Sequence, residues 1–154
     1  MQVKEIMTRT VVTVGPTESI GKIAELVVEN RVSGIPVVDV DGHVLGIVSE
    51  GDLIQKEVEP QLPDGLCILG AVIIYSGLRE YRRAFRKLAA LTAEEIMTPD
   101  VITVQETDDV SAVAKIMRDR QVKRVPVVDA QDKLIGIVSR YDIVKMLVEQ
   151  PSES

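Results

Sequence analysis

Hydrophobic positions recur along the chain with the periods of both helix and strand. Ile20, Ile23, Ala24, Val27 and Val28 follow the spacing i, i+3, i+4, i+7, i+8, which puts them on one face of an α-helix. Thr17 precedes that run and is expected to cap it. Val110, Val113, Ala114, Ile116 and Met117 form a second such face. Thr107 is expected to open this helix, with Asp108 and Asp109 placed favourably against its dipole. Two short β-branched runs, Ile35 to Val38 and Val44 to Val48, flank Asp41-Gly42, a dipeptide suited to a tight hairpin. The matching turn further on, Gln131-Asp132, lacks glycine. It is expected to be looser, because glycine takes positive φ at no steric cost.

These paired elements belong to a duplication. Glu5-Ile6-Met7-Thr8 returns as Glu95-Ile96-Met97-Thr98, an offset of 90 residues. The register then holds without a gap: Val11-Val12-Thr13-Val14 aligns with Val101-Ile102-Thr103-Val104, Pro36-Val37-Val38-Asp39 with Pro126-Val127-Val128-Asp129, and Gly46-Ile47-Val48-Ser49 with Gly136-Ile137-Val138-Ser139. Each copy reads as strand, helix, strand, strand, helix. One such unit leaves an apolar sheet surface uncovered, and two in one chain can cover each other. The expected fold is therefore mixed α/β (α+β), with two β-α-β-β-α repeats packed as a pseudo-twofold pair and a cleft where they meet. The expected division is residues 1–58 for the first repeat, 59–92 for a helical insert, 93–150 for the second repeat and 151–154 for a tail.

Each copy ends in a similar motif, Ser49-Glu50-Gly51-Asp52 and Ser139-Arg140-Tyr141-Asp142. A hydroxyl residue followed three positions later by an acid marks a helix start and needs no ligand to explain it. The same helix start also presents free N–H groups that suit phosphate oxygens. Both readings can hold together.

The duplicated Met-Thr, the segments Val11 to Val14 and Val101 to Val104, the Pro-Val-Val-Asp strands and the Gly-Ile-Val-Ser-x-x-Asp endings resemble a pair of cystathionine-β-synthase (CBS) domains, the tandem called a Bateman module. The resemblance covers Val3 to Leu147 apart from residues 55–92. It implies a regulatory module that binds AMP, ADP, ATP or S-adenosylmethionine, signals to a partner protein and forms a flat homodimer. It implies a ribose-binding role for Asp52 and Asp142, whose carboxylates have oxygens enough to accept from both sugar hydroxyls, with Ser49 and Ser139 as added donors. It also implies adenine slots built from backbone, one from Val11 to Thr13 (with Val11 and Thr13) and Gly34, Ile35 and Pro36, the other from Val101 to Thr103 and Arg124, Val125 and Pro126. Lys123, Arg124 and Arg140 stand at the second site where Ser33, Gly34 and Glu50 stand at the first, so the second motif is the more suited to phosphate. The facing copy can contribute to either site. The rival reading is a dimerisation scaffold that binds no ligand.

Composition narrows the remaining classes. Among 154 residues there are 24 acidic and 18 basic ones, a net charge of −6, which argues against coating nucleic acid through a general field. Trp is absent and Phe occurs once, so the stacking platforms of single-strand binders are nearly missing. Nucleic acid and membrane are not expected as partners. The long uncharged stretch at residues 66–78 is shorter than the roughly 18 to 20 residues needed to span a bilayer. The first residues contain no apolar stretch of signal length, and the single Cys67 fits a reducing compartment, so a cytoplasmic location is expected.

Catalysis has little support. His43 is the only histidine and flanks a turn, Cys67 lies in an apolar run, and together they make no zinc site of familiar spacing. Gly46 and Gly51 have P-loop spacing, but Asp52 stands where the phosphate-binding lysine belongs. No catalytic residue, no metal and no catalytic cofactor is expected. The insert continues from its apolar run into Arg79, Arg82, Arg83, Arg86 and Lys87. This stretch reads as a basic amphipathic helix with Leu78, Tyr81, Phe85 and Leu88 on its apolar side.

Overall fold

The structure, a computed structural model, describes residues 1–54, 79 and 82–150. In chain order the elements are a 3-10 turn (Val3–Glu5), α1 (Ile20–Asn30), β1 (Gly34–Val38), β2 (Val44–Ser49), α2 (Glu50–Leu53), α3 (82–89), α4 (Ala93–Ile96), β3 (Thr98–Pro99), β4 (Val104–Gln105), α5 (Val110–Asp119), β5 (Arg124–Val128), β6 (Leu134–Ser139) and α6 (Arg140–Glu149). The architecture is mixed α/β, with two three-stranded sheets ordered β1-β2-β3 and β4-β5-β6.

Both long amphipathic helices start two residues later than the sequence pattern suggests. Ser19, not Thr17, caps α1 and accepts from the Lys22 N–H at 3.2 Å. Asp109, not Thr107, caps α5 and accepts from the Ser111 N–H at 2.8 Å. The first apolar position of each run is itself the first helical residue, so the cap is its immediate neighbour.

The Val11 to Val14 and Val101 to Val104 segments also depart from expectation, since neither forms a full strand. The first contributes one parallel bridge, Val14 to Val37, and the second only the start of the two-residue β4, Val104 to Val127. The residues before each bridge leave the sheet, and in the first repeat Val11 and Val12 line a cleft instead.

The hairpins repeat atom for atom. The Gly42 N–H donates to Asp39 O at 3.1 Å and the Asp132 N–H to Asp129 O at 3.0 Å. Gly42 has φ 87° and Asp132 has φ 61°, so the second turn is not looser. Aspartate is among the few residues that enter the left-handed region readily. In both turns the preceding aspartate fixes the loop: Asp39 Oδ1 accepts from the Asp41 and His43 N–H groups, and Asp129 Oδ1 from those of Gln131 and Lys133.

The two halves exchange their leading segments. β3 lies in the second sequence repeat but pairs with β2 of the first, Thr98 facing Ile47 and Pro99 facing Gly46. Reciprocally, Thr8 pairs with Ile137 on β6 through bonds of 2.9 and 3.0 Å. The backbone bonds behind these pairs also match. Val3 N–H reaches Asp108 O at 2.9 Å and Ala93 N–H reaches Glu18 O at 2.8 Å; Val110 N–H reaches Met1 O at 3.0 Å and Ile20 N–H reaches Leu91 O at 2.9 Å.

Two glycines make the crossing possible. A Cβ on Gly46 would stand 2.6 Å from Met97 Sδ and 2.7 Å from Thr98 O, and one on Gly136 would stand 2.6 Å from Met7 Sδ.

The cores follow the exchange rather than the sequence repeats. Val3 and Met7 are buried with Val104, Val113, Met117, Val125, Val127 and Val138. Leu88 and Ala93 are buried with Val14, Ile20, Ile23, Ile35, Val37 and Val48. Leu88 therefore does supply apolar contact from the basic helix, whereas Phe85 is more than a third exposed. Residues 66–75, Leu78 and Tyr81 lie outside the described residues.

Candidate functional site

The exchange decides which residues meet. Once Thr8 has paired with Ile137, the chain continues past the end of β6, and Thr10, Val11 and Val12 stand with Ser139 and Asp142 around one cleft. Val27, Val28 and Arg31 come from α1 and its C-terminal end, Val32, Ser33 and Gly34 from the approach to β1, and Lys123, Arg124, Arg140 and Tyr141 from the second repeat. The cleft has a volume of about 840 Å³, inside the roughly 300 to 1,000 Å³ usual for small-molecule sites.

Ser139 and Asp142 form a capping box at the start of α6. Asp142 Oδ2 accepts from the Ser139 N–H at 2.7 Å and from its hydroxyl at 2.9 Å, while Ser139 Oγ lies 3.3 Å from the Asp142 N–H. Ser49 and Asp52 repeat the arrangement, with Oδ2 of Asp52 at 2.8 Å from the Ser49 N–H and 3.0 Å from its hydroxyl. Each serine thus occupies one carboxylate oxygen, and among the described residues the Oδ1 atoms take no hydrogen bond. That leaves each aspartate an acceptor for an incoming hydroxyl.

Cations outnumber acids around the cleft: Arg31, Lys123, Arg124 and Arg140 face Glu50 and Asp142. Burial pulls the Arg124 guanidinium below its ordinary value, and the carboxylates of Glu50 and Asp52 oppose that shift. It stays charged at neutral pH.

Of the residues singled out from sequence, Val11, Gly34, Arg124, Ser139, Arg140 and Asp142 are on this cleft. Ile35, Pro36, Val125 and Pro126 are buried strand residues, and Thr13, Val101, Thr103, Ser49 and Asp52 do not line it. Val11 and Gly34 of the first repeat therefore share a cleft with the aspartate of the second repeat, Asp142, and not with Asp52. Val12, within the expected Val11 to Thr13 segment, lines the cleft too, whereas Thr8, Thr10, Arg31 and Tyr141 line it without having been expected there. The signal that could have found them is the Gly46 and Gly136 pair, whose missing side chains mark where another strand must approach.

Asp39, Asp41 and His43 bring ligand atoms within 4.8 Å of one another. The hairpin explains that cluster, since Asp39 Oδ1 is held by the turn and Oδ2 lies 3.2 Å from His43 Nδ1.

Comparison with known proteins places this geometry. A sequence profile of the CBS domain matches residues 3–59 and 93–149. The chain is 29% identical over 155 residues to the Methanocaldococcus jannaschii protein MJ1426, covering 96% of this chain and 92% of that one. It is 29% identical over 147 residues to the chloroplastic CBSX1 of Arabidopsis thaliana, spanning 88% of this chain but only 58% of that relative's length. The crystal structure of CBSX2 from Arabidopsis thaliana superimposes with a TM-score of 0.75 at 27% identity, covering 96% of this chain and 94% of that one. CBSX2 has also been crystallised in complex with AMP (TM-score 0.70, 26% identity, 96% of each chain). The CBS domain pair of MJ0100, crystallised with 5'-methylthioadenosine and S-adenosyl-L-methionine, matches at TM-score 0.70 and 26% identity over 96% of each chain.

Proposed function

The chain belongs to the CBS domain family, whose profile accounts for most of its length, and on that premise we propose that it is a regulatory module that binds an adenine nucleotide between its repeats and signals occupancy to a partner protein. The observation that carries this reading is the meeting of Val11, Val12 and Gly34 with Ser139, Asp142, Lys123 and Arg140 around one cleft. Apolar side chains and close backbone suit a purine, the carboxylate suits ribose hydroxyls, and the hydroxyl with the cations suits phosphate. The complexes of CBSX2 with AMP and of MJ0100 with S-adenosylmethionine support the ligand class. The surplus of positive charge favours AMP, ADP or ATP over the cationic sulfonium of S-adenosylmethionine. The function is sensing, not turnover, and a ligand acts here by differing in affinity for two states of the module. Among the described residues no helix is long and apolar enough to cross a membrane, and we place the protein in the cytoplasm because its one cysteine suits a reducing compartment.

Calorimetric titration and melting of the purified protein test the reading. AMP, ADP and ATP are expected to bind and raise the melting temperature, because a ligand bound only by the folded state stabilises it by mass action. GMP and CMP should do less. No binding and unchanged melting across millimolar adenine nucleotides and S-adenosylmethionine would leave the dimerisation scaffold as the better account.

Association has support of its own. Tyr141, Val144, Leu147 and Val148 on α6 are between 56% and 79% exposed, an apolar stripe that suits burial against another chain. A homodimer through α6 is the expected solution state, and light scattering giving a monomer mass at high micromolar concentration would reject it.

A further inference from the structure

The helix α3 (82–89) carries Arg82, Arg83, Arg86 and Lys87 and no acidic residue. Its inner side is fixed by packing. Leu88 is buried in the core with Ile20 and Ile23, and the Cβ of Ala89 lies 3.4 Å from where a Cβ on Gly21 would sit. At about 3.6 residues per turn the four cations fall on the side away from Leu88, and all four are exposed. None of them makes an ion pair among the described residues.

This arrangement does nothing for the helix by itself. Arg82 with Arg86, and Arg83 with Lys87, are like charges one turn apart, which repel. Exposed faces that serve solubility interleave the two signs, as α1 does with Lys22 and Glu25 at 3.6 Å and α6 with Lys145 and Glu149 at 3.8 Å. The patch is also a local reversal of sign, because the whole chain is at −6. Salt confines such a field to about 8 Å, and the helix is about 12 Å long, so the anion it fits is a short one. A plane of anionic lipid or a duplex would bring its charge against the acidic remainder of the surface as well. Phe85, 37% exposed, is the one large apolar side chain that the described residues of α3 leave open to enter a bilayer or stack on a base. Three of the four cations are arginines, whose forks hold carboxylates through paired hydrogen bonds. The helix on which α3 rests, α1, reaches the cleft at its other end through Val27 and Val28.

Resting on the partner-signalling part of the proposed function, we propose that the outer face of α3 docks the partner protein through a short acidic segment, whose carboxylates Arg82, Arg83, Arg86 and Lys87 receive. The surface is then one packed helix away from the nucleotide cleft and shares no residue with it.

Fluorescence anisotropy with a labelled peptide of alternating Glu and Ala tests this on the full chain. The peptide is expected to bind at about 50 mM NaCl, and about 300 mM should weaken it at least tenfold or so. The same peptide with Gln for Glu should not bind. Changing Arg82, Arg83, Arg86 and Lys87 together to Gln should cost about tenfold or more in affinity. Changing Lys4, Lys22, Lys115 and Lys145 to Gln removes as much charge elsewhere and should leave affinity within about twofold. The pairs Arg82→Gln with Arg86→Gln and Arg83→Gln with Lys87→Gln each relieve one repulsion, so both should melt no lower than wild type and each lose part of the affinity. A Glu peptide that fails to bind wild type, that binds no better than its Gln counterpart, or that survives the fourfold α3 change would overturn the proposal. So would phosphatidylserine vesicles or a DNA duplex binding wild type more tightly than the peptide and losing that in the α3 variant, since the face would then belong to lipid or nucleic acid. AMP affinity on the same variants keeps the two readings apart. No residue of α3 lines the cleft, so AMP affinity should not change, and wild type that binds the peptide but no AMP would refute the nucleotide reading while upholding the docking surface.

Discussion

Asp52 and Asp142 hold the same two bonds to the serine three residues before them, yet only Asp142 borders the open cleft. Their substitutions should therefore separate structure from binding. Asp52→Ala and Asp142→Ala are each expected to lower stability by about 0.5 to 2 kcal/mol through loss of the cap. Only Asp142→Ala should weaken AMP, by roughly one to two decades, as the loss of charged hydrogen bonds to a sugar implies. Melting and calorimetry on both variants check this, and equal affinity losses would contradict it.

Three other aspartates set the response to acid. Asp39 and Asp129 are held below their ordinary value of 3.8 chiefly by the N–H groups of His43 and Lys133, and Asp109 chiefly by the Ser111 hydroxyl. A carboxyl whose folded pKa is depressed stabilises fully above its unfolded value and loses that contribution as pH falls through the folded one. Urea midpoints should therefore fall as pH drops below about 4, and less steeply in the Asp39→Asn, Asp129→Asn double variant. An acid response identical to wild type would remove these turns as its source.

At the scale of elements, the crossing strands depend on Gly46 and Gly136. Gly46→Ala would place a methyl 2.7 Å from the Thr98 carbonyl as well as against Met97, whereas at Gly136 the nearest backbone atom, Thr8 O, is 3.2 Å away. The sulfur can swing aside but a paired carbonyl cannot, so Gly46→Ala should cost about 1 to 3 kcal/mol and Gly136→Ala less. Denaturant midpoints give the order, and a larger loss at Gly136 would contradict the geometry.

The same elements show what could be read from sequence. Both amphipathic helices, the hairpin strands and the 90-residue offset were legible because each follows a period or a repeat that burial imposes. The caps at Ser19 and Asp109 were missed by two residues, because several polar residues ahead of each helix can cap equally well in isolation. The pairing of Thr98 with Ile47 and of Thr8 with Ile137 was not legible, because an offset says that two segments are alike and not which sheet either joins. The candidate site inherited that gap. The sequence left open which copy's aspartate Val11 and Gly34 would meet, and the structure sets both on one cleft with Asp142, across the exchange.

For the whole molecule, the exchange makes each hydrophobic core a joint product of both repeats. Val3 belongs to the first repeat, is fully buried, and packs with Val113, Val125 and Val138 of the second. Ala93 belongs to the second and is fully buried against Ile20, Ile35 and Val48 of the first. Neither repeat can close its core while the other is unfolded, so the chain should unfold in one cooperative step rather than two. Val3→Ala tests this away from the cleft. Removing two methyl groups from a closed core costs about 2 to 3 kcal/mol once the cavity is included. If the halves were independent, hydrogen exchange would speed up only in the second-half strands that Val3 touches. With the cores interlocked, the amides of β1 and β2 should lose protection by the same free energy as those of β5 and β6, because both open through the same global event. Protection retained in β1 and β2 of Val3→Ala would show that the halves unfold separately, and a cleft lined from both repeats could then not be held as one rigid site.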